Sequence, residues 1–88
     1  MRKENDYLRD EFTEQEMEKL NKLLDLIEVD AYLPFRQQSG GFSETEVFDY
    51  DEDRIDIMLT YGVQDVGSGG QEYTEQLEIN RKTMEIIN

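Results

Sequence analysis

Residues 55–63 read IDIMLTYGV, and this stretch decides the fold because an apolar residue stands at every second position. In an extended strand, alternate side chains point to the same side, so the pattern gives this strand one apolar face. The apolar face consists of Ile55, Ile57, Leu59, Tyr61 and Val63. Such a face has to be buried, which predicts a sheet built around residues 55–63 and a second layer packed on it.

The segment that follows this strand predicts a hairpin. Gly67-Ser68-Gly69-Gly70 supplies residues that tolerate positive φ angles. A three-residue loop over residues 67–69 sets Leu59 opposite Leu77, whereas a four-residue loop sets it opposite Glu78, so burial favours the shorter loop. The predicted pairs are Val63 with Tyr73, Tyr61 with Glu75, Leu59 with Leu77 and Ile57 with Ile79.

A second hairpin is predicted upstream of the same strand. A four-residue turn over residues 51–54 pairs Tyr50 with Ile55 and Phe48 with Ile57. Together the two hairpins predict a three-stranded antiparallel meander.

Residues 13–32 predict a long amphipathic helix. Thr13-Glu14-Gln15-Glu16 is a capping box, and Phe12 with Met17 forms the hydrophobic staple that often accompanies it. Pro34 disfavours helical geometry at the residue before it, so the helix should end near Asp30 to Tyr32. The apolar stripe expected to cover the sheet is Met17, Leu20, Leu24, Ile27 and Ala31, with Leu23 alongside.

The two ends of the chain leave alternatives open. Residues 1–11 form either a loose arm or a short leading helix, and residues 84–87 either continue the third strand or form a short helix. The sequence therefore predicts one α+β domain over residues 1–88. In it, one long N-terminal helix packs on a three-stranded meander, with a short C-terminal helix as an option.

Composition excludes most catalytic chemistry. The chain of 88 residues has 22 Asp and Glu, 9 Lys and Arg, a net charge of −13, no His and no Cys. Without Cys there is no disulfide, thiolate zinc site or thiol redox centre, and without His the serines have no usual activating base. We therefore expect a protein that is not an enzyme. We also expect no direct nucleic-acid binding, since that requires basic residues to neutralise phosphates.

Two segments resemble ligand-binding loops but lack essential residues. Asp49-Tyr50-Asp51-Glu52-Asp53 begins like a calcium loop, yet Arg54 stands where that loop needs Gly and Thr60 where it needs Glu. The glycines at 67–70 lack the helix N-terminus and the Lys of a phosphate-binding loop. We therefore expect neither a metal nor a cofactor.

The excess of carboxylates favours a positively charged partner. Residues 44–56 hold a single cation, Arg54, and alternate residues of a strand stand ~6.5–7 Å apart, so the acids could present a row of charge comparable in density to a phosphate backbone. A solvated charged face is the plainer interpretation. The predicted partner-binding residues are Glu44, Glu46, Asp49, Asp51, Glu52, Asp53 and Asp56.

In size, acidity and lack of cysteine, the chain resembles the small inhibitors that bacteriophages make against host defence or DNA-processing enzymes, such as anti-CRISPR proteins. The resemblance is one of composition, and no motif residue carries over from it. It implies an inhibitor in the host cytoplasm that fills a Lys- and Arg-lined nucleic-acid channel of its target as a DNA or RNA mimic. No apolar run approaches the ~20 residues needed to span a bilayer, and an anionic leaflet would repel the chain, so we expect no membrane partner.

The alternative is an ordinary protein-interaction module, such as a subunit, adaptor or immunity protein. Val47 and Met58 are expected on the sheet face away from the helix, beside Asp56, Thr60, Gln76 and Glu78. An apolar patch there could form a homodimer or bind a partner. The expected state is a monomer or a homodimer.

Overall fold

A single helix precedes a four-stranded antiparallel sheet in the structure, a computed structural model that describes residues 11–64 and 70–87. The strands lie side by side in chain order. The elements are helix α1 (Glu14–Tyr32), a 3₁₀ turn (Leu33–Phe35), β1 (Gly41–Tyr50), β2 (Arg54–Val63), β3 (Glu72–Asn80) and β4 (Glu85–Ile86). The α+β class predicted from the sequence is confirmed, but the sheet has four strands where three were predicted.

Helix α1 begins and ends where its local signals predict. The backbone N–H of Glu16 donates to the Thr13 hydroxyl at 3.1 Å, and the Thr13 N–H donates to the Glu16 carboxylate at 3.0 Å, which completes the capping box. After Tyr32 the chain tightens into the 3₁₀ turn that contains Pro34. The predicted start, the capping box and the end of the helix are therefore confirmed.

The helix buries its predicted stripe against the sheet. Leu20 and Leu24 are fully buried, as are Ile55 and Ile57 of β2. Two polar side chains of β1 lie under the helix, and both bond to Glu28. The Ser43 hydroxyl donates to its carbonyl oxygen at 2.6 Å and the Thr45 hydroxyl to its carboxylate at 2.9 Å. These bonds satisfy polar groups that would be costly to bury alone, and they hold α1 mainly over β1 and β2.

The predicted pairing of β2 with β3 is wrong by two residues. The structure pairs Tyr61 with Tyr73 and Ile55 with Ile79, where the prediction paired Tyr61 with Glu75 and Ile57 with Ile79. A shift of two keeps every side chain on its face, so alternation of apolar residues cannot choose between the two registers. The observed register stacks the rings of Tyr61 and Tyr73, whose centroids are 5.5 Å apart. It makes the connection longer than predicted, and the predicted loop at 67–69 lies outside the described residues.

A bulge in β1 makes part of the predicted pairing between β1 and β2 wrong. Tyr50 pairs with Ile55 as predicted, but the register shifts between Val47 and Asp49, so Val47 pairs with Ile57 in place of Phe48. Val47 is consequently buried in the core and Phe48 is 48% exposed. The extra residue of a bulge reverses the faces on one side of it, which regular alternation does not predict.

The C-terminal segment neither continues β3 nor forms a helix. The Asn80 side chain accepts hydrogen bonds from the N–H groups of Lys82 and Thr83, and Met84 adopts a φ of 56°. This turn reverses the chain, and Glu85–Ile86 returns as β4 beside Ile79 and Asn80. The buried Met84 side chain anchors the turn in the core. The alternatives predicted for residues 1–11 concern a segment of which only Glu11 is described.

Arg81 joins three separated parts of the chain. Its guanidinium donates to the Glu16 carboxylate at 2.9 Å, to the Asp51 carbonyl at 2.8 Å and to the Glu11 carbonyl at 2.8 Å. It also lies 4.0 Å from the centroid of the Phe12 ring. Arg81 therefore connects the start of α1, the β1–β2 turn and the end of β3.

The Glu16–Arg81 pair should make stability depend on pH. The hydrogen bond from Arg81, together with the Thr13 N–H, lowers the pKa of Glu16 below its ordinary value of 4.5. A lowered pKa in the folded state stabilises the fold above the unfolded-state pKa, and this contribution is lost as pH falls through the folded-state pKa. We expect Glu16→Gln to lower the urea midpoint at neutral pH, and the difference from wild type to shrink well below pH 4.5. An equal difference at both pH values would contradict a charge-dependent contact.

No helix in the described part of the chain combines the length and apolarity needed to cross a membrane.

Candidate acidic interaction surface

The sheet face opposite α1, here called the outer face, collects acidic residues. Cross-strand partners share a face, and the ladder pairs Asp49 with Asp56, Asp56 with Glu78, and Glu46 with Met58. The core residues of β2 point to the other side. Of the predicted binding residues, four lie on the outer face: Glu44, Glu46, Asp49 and Asp56.

The other three predicted residues form the turn at one end of this face. Asp51, Glu52 and Asp53 connect β1 to β2, and all three are exposed. The structure therefore brings all seven predicted residues to one face and its adjoining turn. We call these seven residues together with Glu78 the acidic face.

Arg54 lies among four carboxylates of the acidic face. Its guanidinium is 3.1 Å from Asp51, 3.0 Å from Asp56, 3.5 Å from Glu78 and 3.8 Å from Asp49. One positive charge thus offsets one of four negative charges and fixes their relative positions. The sequence identifies Arg54 as the lone cation of residues 44–56 but does not predict this grouping, because Glu78 lies beside Arg54 only in the observed register of β3.

Asp51 organises the turn from within. One carboxylate oxygen accepts from the N–H groups of Asp53 at 2.8 Å and Arg54 at 2.9 Å, and the other accepts from the Arg54 side chain at 3.1 Å. The Asp53 N–H, followed by the Arg54 side chain, lowers the pKa of Asp51, so this carboxyl is ionised at neutral pH. The same contact with Asp51 is the main cause that raises the pKa of Arg54. Asp51 is therefore a structural member of the acidic face.

We expect two neighbouring turn residues to differ in their effect on stability. Asp51→Ala removes the acceptor of three hydrogen bonds and should lower the melting temperature by a few degrees, whereas Asp53→Ala should leave it nearly unchanged. The Asp53 side chain is 81% exposed, and its ion pair with Lys82 spans 3.6 Å between exposed groups. Calorimetry of both variants checks this. Equal melting temperatures would mean that the Asp51 bonds do not hold the turn.

The apolar patch predicted on the outer face is not formed as expected. Val47 is buried in the core, Met58 is half-buried, and the exposed Phe48 lies in a depression of about 270 Å³ beside Arg54 and Asp56. Exposed apolar side chains also lie on the solvent side of α1. There Leu26 is 68% exposed and Val29 56%, and Leu33 follows at helical spacing.

Within residues 11–64 and 70–87, no group of three or more carboxylates is arranged to hold a metal ion. No protein-family model matches the chain, and no curated protein matches it. The acidic face and the exposed apolar residues of α1 are two surface features of the described residues that a partner could contact.

Proposed function

We propose that the protein binds a basic surface of another protein through its acidic face. The observation that supports this is the gathering of eight carboxylates on one sheet face and turn, where Arg54 and Lys82 are the cations that the described ion pairs place against them. The strands and the tight turn fix the backbone positions of these groups, so little backbone freedom is lost when a partner binds. Lys- and Arg-rich surfaces that bind phosphate backbones have the complementary charge.

The charge of the chain exceeds what solubility requires. A net charge of magnitude ~2–8 is enough to keep a small domain in solution, while this chain carries −13. Excess charge costs stability through self-repulsion, so a binding role explains its retention better than solubility alone. In its specific form, the proposal is that the protein is an inhibitor that mimics DNA or RNA and competes with it for a channel of the target. Phages direct inhibitors of this kind against host defence or DNA-processing enzymes in the cytoplasm.

Electrostatic binding of this kind has a kinetic signature. Complementary charge raises the association rate, and dissolved salt reduces that effect because it screens exposed charges. Removing charges from the acidic face should therefore slow association more than it speeds dissociation. Added nucleic acid should displace the protein, since both would occupy the same channel.

A second candidate function is an interaction module that uses the apolar surface of α1. Leu26, Val29 and Leu33 lie along one side of the helix, and all three are exposed. Contact through such a surface depends on buried area and would weaken mainly through faster dissociation. In this second candidate, the exposed residues of α1 take the role that the sequence analysis gave to an apolar patch at Val47 and Met58.

A capture experiment with three variants distinguishes the two candidate functions. The first removes charge from the acidic face by Glu44→Gln, Glu52→Gln and Asp53→Asn, residues chosen because none of them supports the turn as Asp51 does. The second removes the same charge from α1 and the segment before it by Glu11→Gln, Glu14→Gln and Glu18→Gln, residues that lie outside both the acidic face and the groove beside β3. The third carries Leu26→Ala and Val29→Ala on α1. Each is immobilised, exposed to lysate, and then washed with duplex DNA.

We expect a basic nucleic-acid-binding protein on the wild type and on the second and third variants, released by DNA, and its loss from the first variant. Equal loss from the first two variants would mean that net charge alone attracts the partner. Loss from the third variant alone would favour the interaction module.

A further inference from the structure

Strand β3 has an open edge along most of its length. Strand β4 pairs only with Ile79 and Asn80, and the Ile87 N–H donates to the Glu78 carbonyl at 2.7 Å. On the other side of β3, the Val63 N–H donates to the Gln71 carbonyl at 2.7 Å. Backbone groups alternate in direction along a strand, so odd-numbered residues of β3 face β2 and even-numbered ones face the edge.

Three even-numbered residues consequently present backbone groups that no strand of residues 11–64 or 70–87 pairs. Glu72, Thr74 and Gln76 lie beyond the reach of β4, and no other strand in the described parts of the chain pairs with this edge. All three are exposed. An open edge of this kind can accept a further strand by main-chain hydrogen bonds.

An apolar groove lies beside the open edge on the face that α1 only partly covers. It has a volume of about 360 Å³, and its lining includes Ile27 and Ala31 of α1, Leu59 of β2, Leu77 of β3 and Ile86 of β4. Ile86 is 48% exposed there. The inward side chains of a strand added at the edge would point toward this groove, which is how added strands obtain specificity beyond their backbone bonds.

The acidic side chains around the open edge of β3 favour a basic partner strand over a second copy of the chain. Glu72 and Glu78 lie on the outer-face side of β3, and Glu75 lies at the groove, where it accepts a hydrogen bond from the Tyr61 hydroxyl at 3.0 Å. A second copy of the chain, with its own net charge of −13, would bring these carboxylates against each other. Acidic side chains on an edge strand thus oppose self-pairing but favour a basic strand.

We infer that the edge at residues 72–77 takes an extended segment of a partner protein as an added strand, in which basic residues alternate with apolar ones. The apolar side chains enter the groove, and the basic ones lie on the outer-face side beside Glu72 and Glu78. This mode goes beyond the proposed function, because it relies on main-chain bonds and on residues outside the predicted binding set.

A capped heptapeptide of alternating lysine and valine is the probe. Its titration into the full chain is followed by amide NMR and hydrogen exchange, beside a copy with N-methyl groups on the amides that would face β3. We expect the amides of Thr74 and Gln76 to exchange more slowly on binding, and N-methylation to weaken binding about tenfold or more, since each missing hydrogen bond costs about a factor of three to ten.

Thr74→Pro and Thr74→Ala give a matched pair of protein variants. Proline removes an N–H that faces the edge and leaves the bonds between β2 and β3 in place, so it should weaken peptide binding while Thr74→Ala should not. The N-methylated peptide provides the same test without altering the protein, should the proline variant unfold.

Three results would overturn the inference: no peptide binding at millimolar concentration, equal binding of the N-methylated peptide, or shifts confined to Glu44, Glu52 and Asp53. The last result would mean attraction to the acidic face alone and would leave the proposed function standing. Conversely, unchanged peptide binding to the variant that lacks those three charges would support a separate site even if the acidic face had no partner.

Discussion

Replacing Leu24 with alanine should lower the free energy of unfolding by about 2–4 kcal/mol, and Ile57→Ala should do the same. Both side chains are fully buried and belong to the core between α1 and the sheet. Each substitution removes apolar contact and leaves a cavity that the surrounding helix and sheet cannot fully close. A domain of this size has a total stability of about 5–8 kcal/mol, so either change should leave a substantial unfolded fraction at moderate denaturant.

Leu26→Ala is the matched control for Leu24→Ala. It makes the same chemical change on the same helix, but Leu26 is 68% exposed while Leu24 is fully buried. We expect its effect to stay within about 0.5 kcal/mol. Urea unfolding followed by circular dichroism compares the three variants. Similar midpoints for Leu24→Ala and Leu26→Ala would show that the helix packs on the sheet through a different face.

Arg81→Ala should cost about 2–3 kcal/mol, because a charged group with several hydrogen bonds is removed from a largely buried position. The Arg81 side chain is 14% exposed, and its three acceptors belong to Glu16, Asp51 and Glu11. Its contact with the Phe12 ring would also be lost. The loss should loosen the start of α1 and the β1–β2 turn together.

Two further substitutions show whether the loss of stability in Arg81→Ala comes from its hydrogen bonds or from its charge alone. Lys82→Ala removes the neighbouring cation, whose side chain is 77% exposed, and should be nearly neutral. Arg81→Lys keeps the charge but has all its donors on one nitrogen, whereas Arg81 reaches its three acceptors from three different nitrogens, so the lysine variant should fall between wild type and Arg81→Ala. Thermal unfolding of the three variants gives the order. Equal stability of Arg81→Ala and Lys82→Ala would contradict the bridging role of Arg81.

The parts of the fold that depend on neighbouring residues could be predicted from the sequence. Thr13 and Glu16 complete a capping box within one turn, and Pro34 limits the helix from the other end. The alternation of Ile55, Ile57 and Leu59 likewise placed β2 and its buried face correctly.

The parts that depend on distant pairing could not be predicted in the same way. A shift of two residues between β2 and β3 leaves every face unchanged, so only the contact of Tyr61 with Tyr73 distinguishes the registers. The bulge at Phe48 exchanges the positions of Phe48 and Val47, and no turn residue in the sequence marks it. β4 depends on the positive φ of Met84, an uncommon conformation for a residue other than glycine.

The acidic face likewise has features that depend on neighbouring residues and features that depend on distant pairing. Its seven predicted residues are close in sequence, so one hairpin brings them together. The position of Arg54 against Glu78 requires β3 in its observed register, and the bulge between Val47 and Asp49 is what puts Glu44 and Glu46 on the outer face. Charge content could therefore be predicted from the sequence, while its arrangement around one cation could not.

The most direct test of the proposed function is the association rate with the captured basic partner, measured by surface plasmon resonance at low and at physiological salt. The Debye length falls from ~30 Å at 0.01 M salt to ~8 Å at 0.15 M, so steering by exposed charge should weaken over this range. We predict that Glu44→Gln, Glu52→Gln and Asp53→Asn together slow association by about tenfold at low salt and less at physiological salt, with dissociation changed little. The set with the same charge removed from Glu11, Glu14 and Glu18 should stay close to wild type. An association rate for the acidic-face variant equal to that of wild type at both salt concentrations would contradict the account.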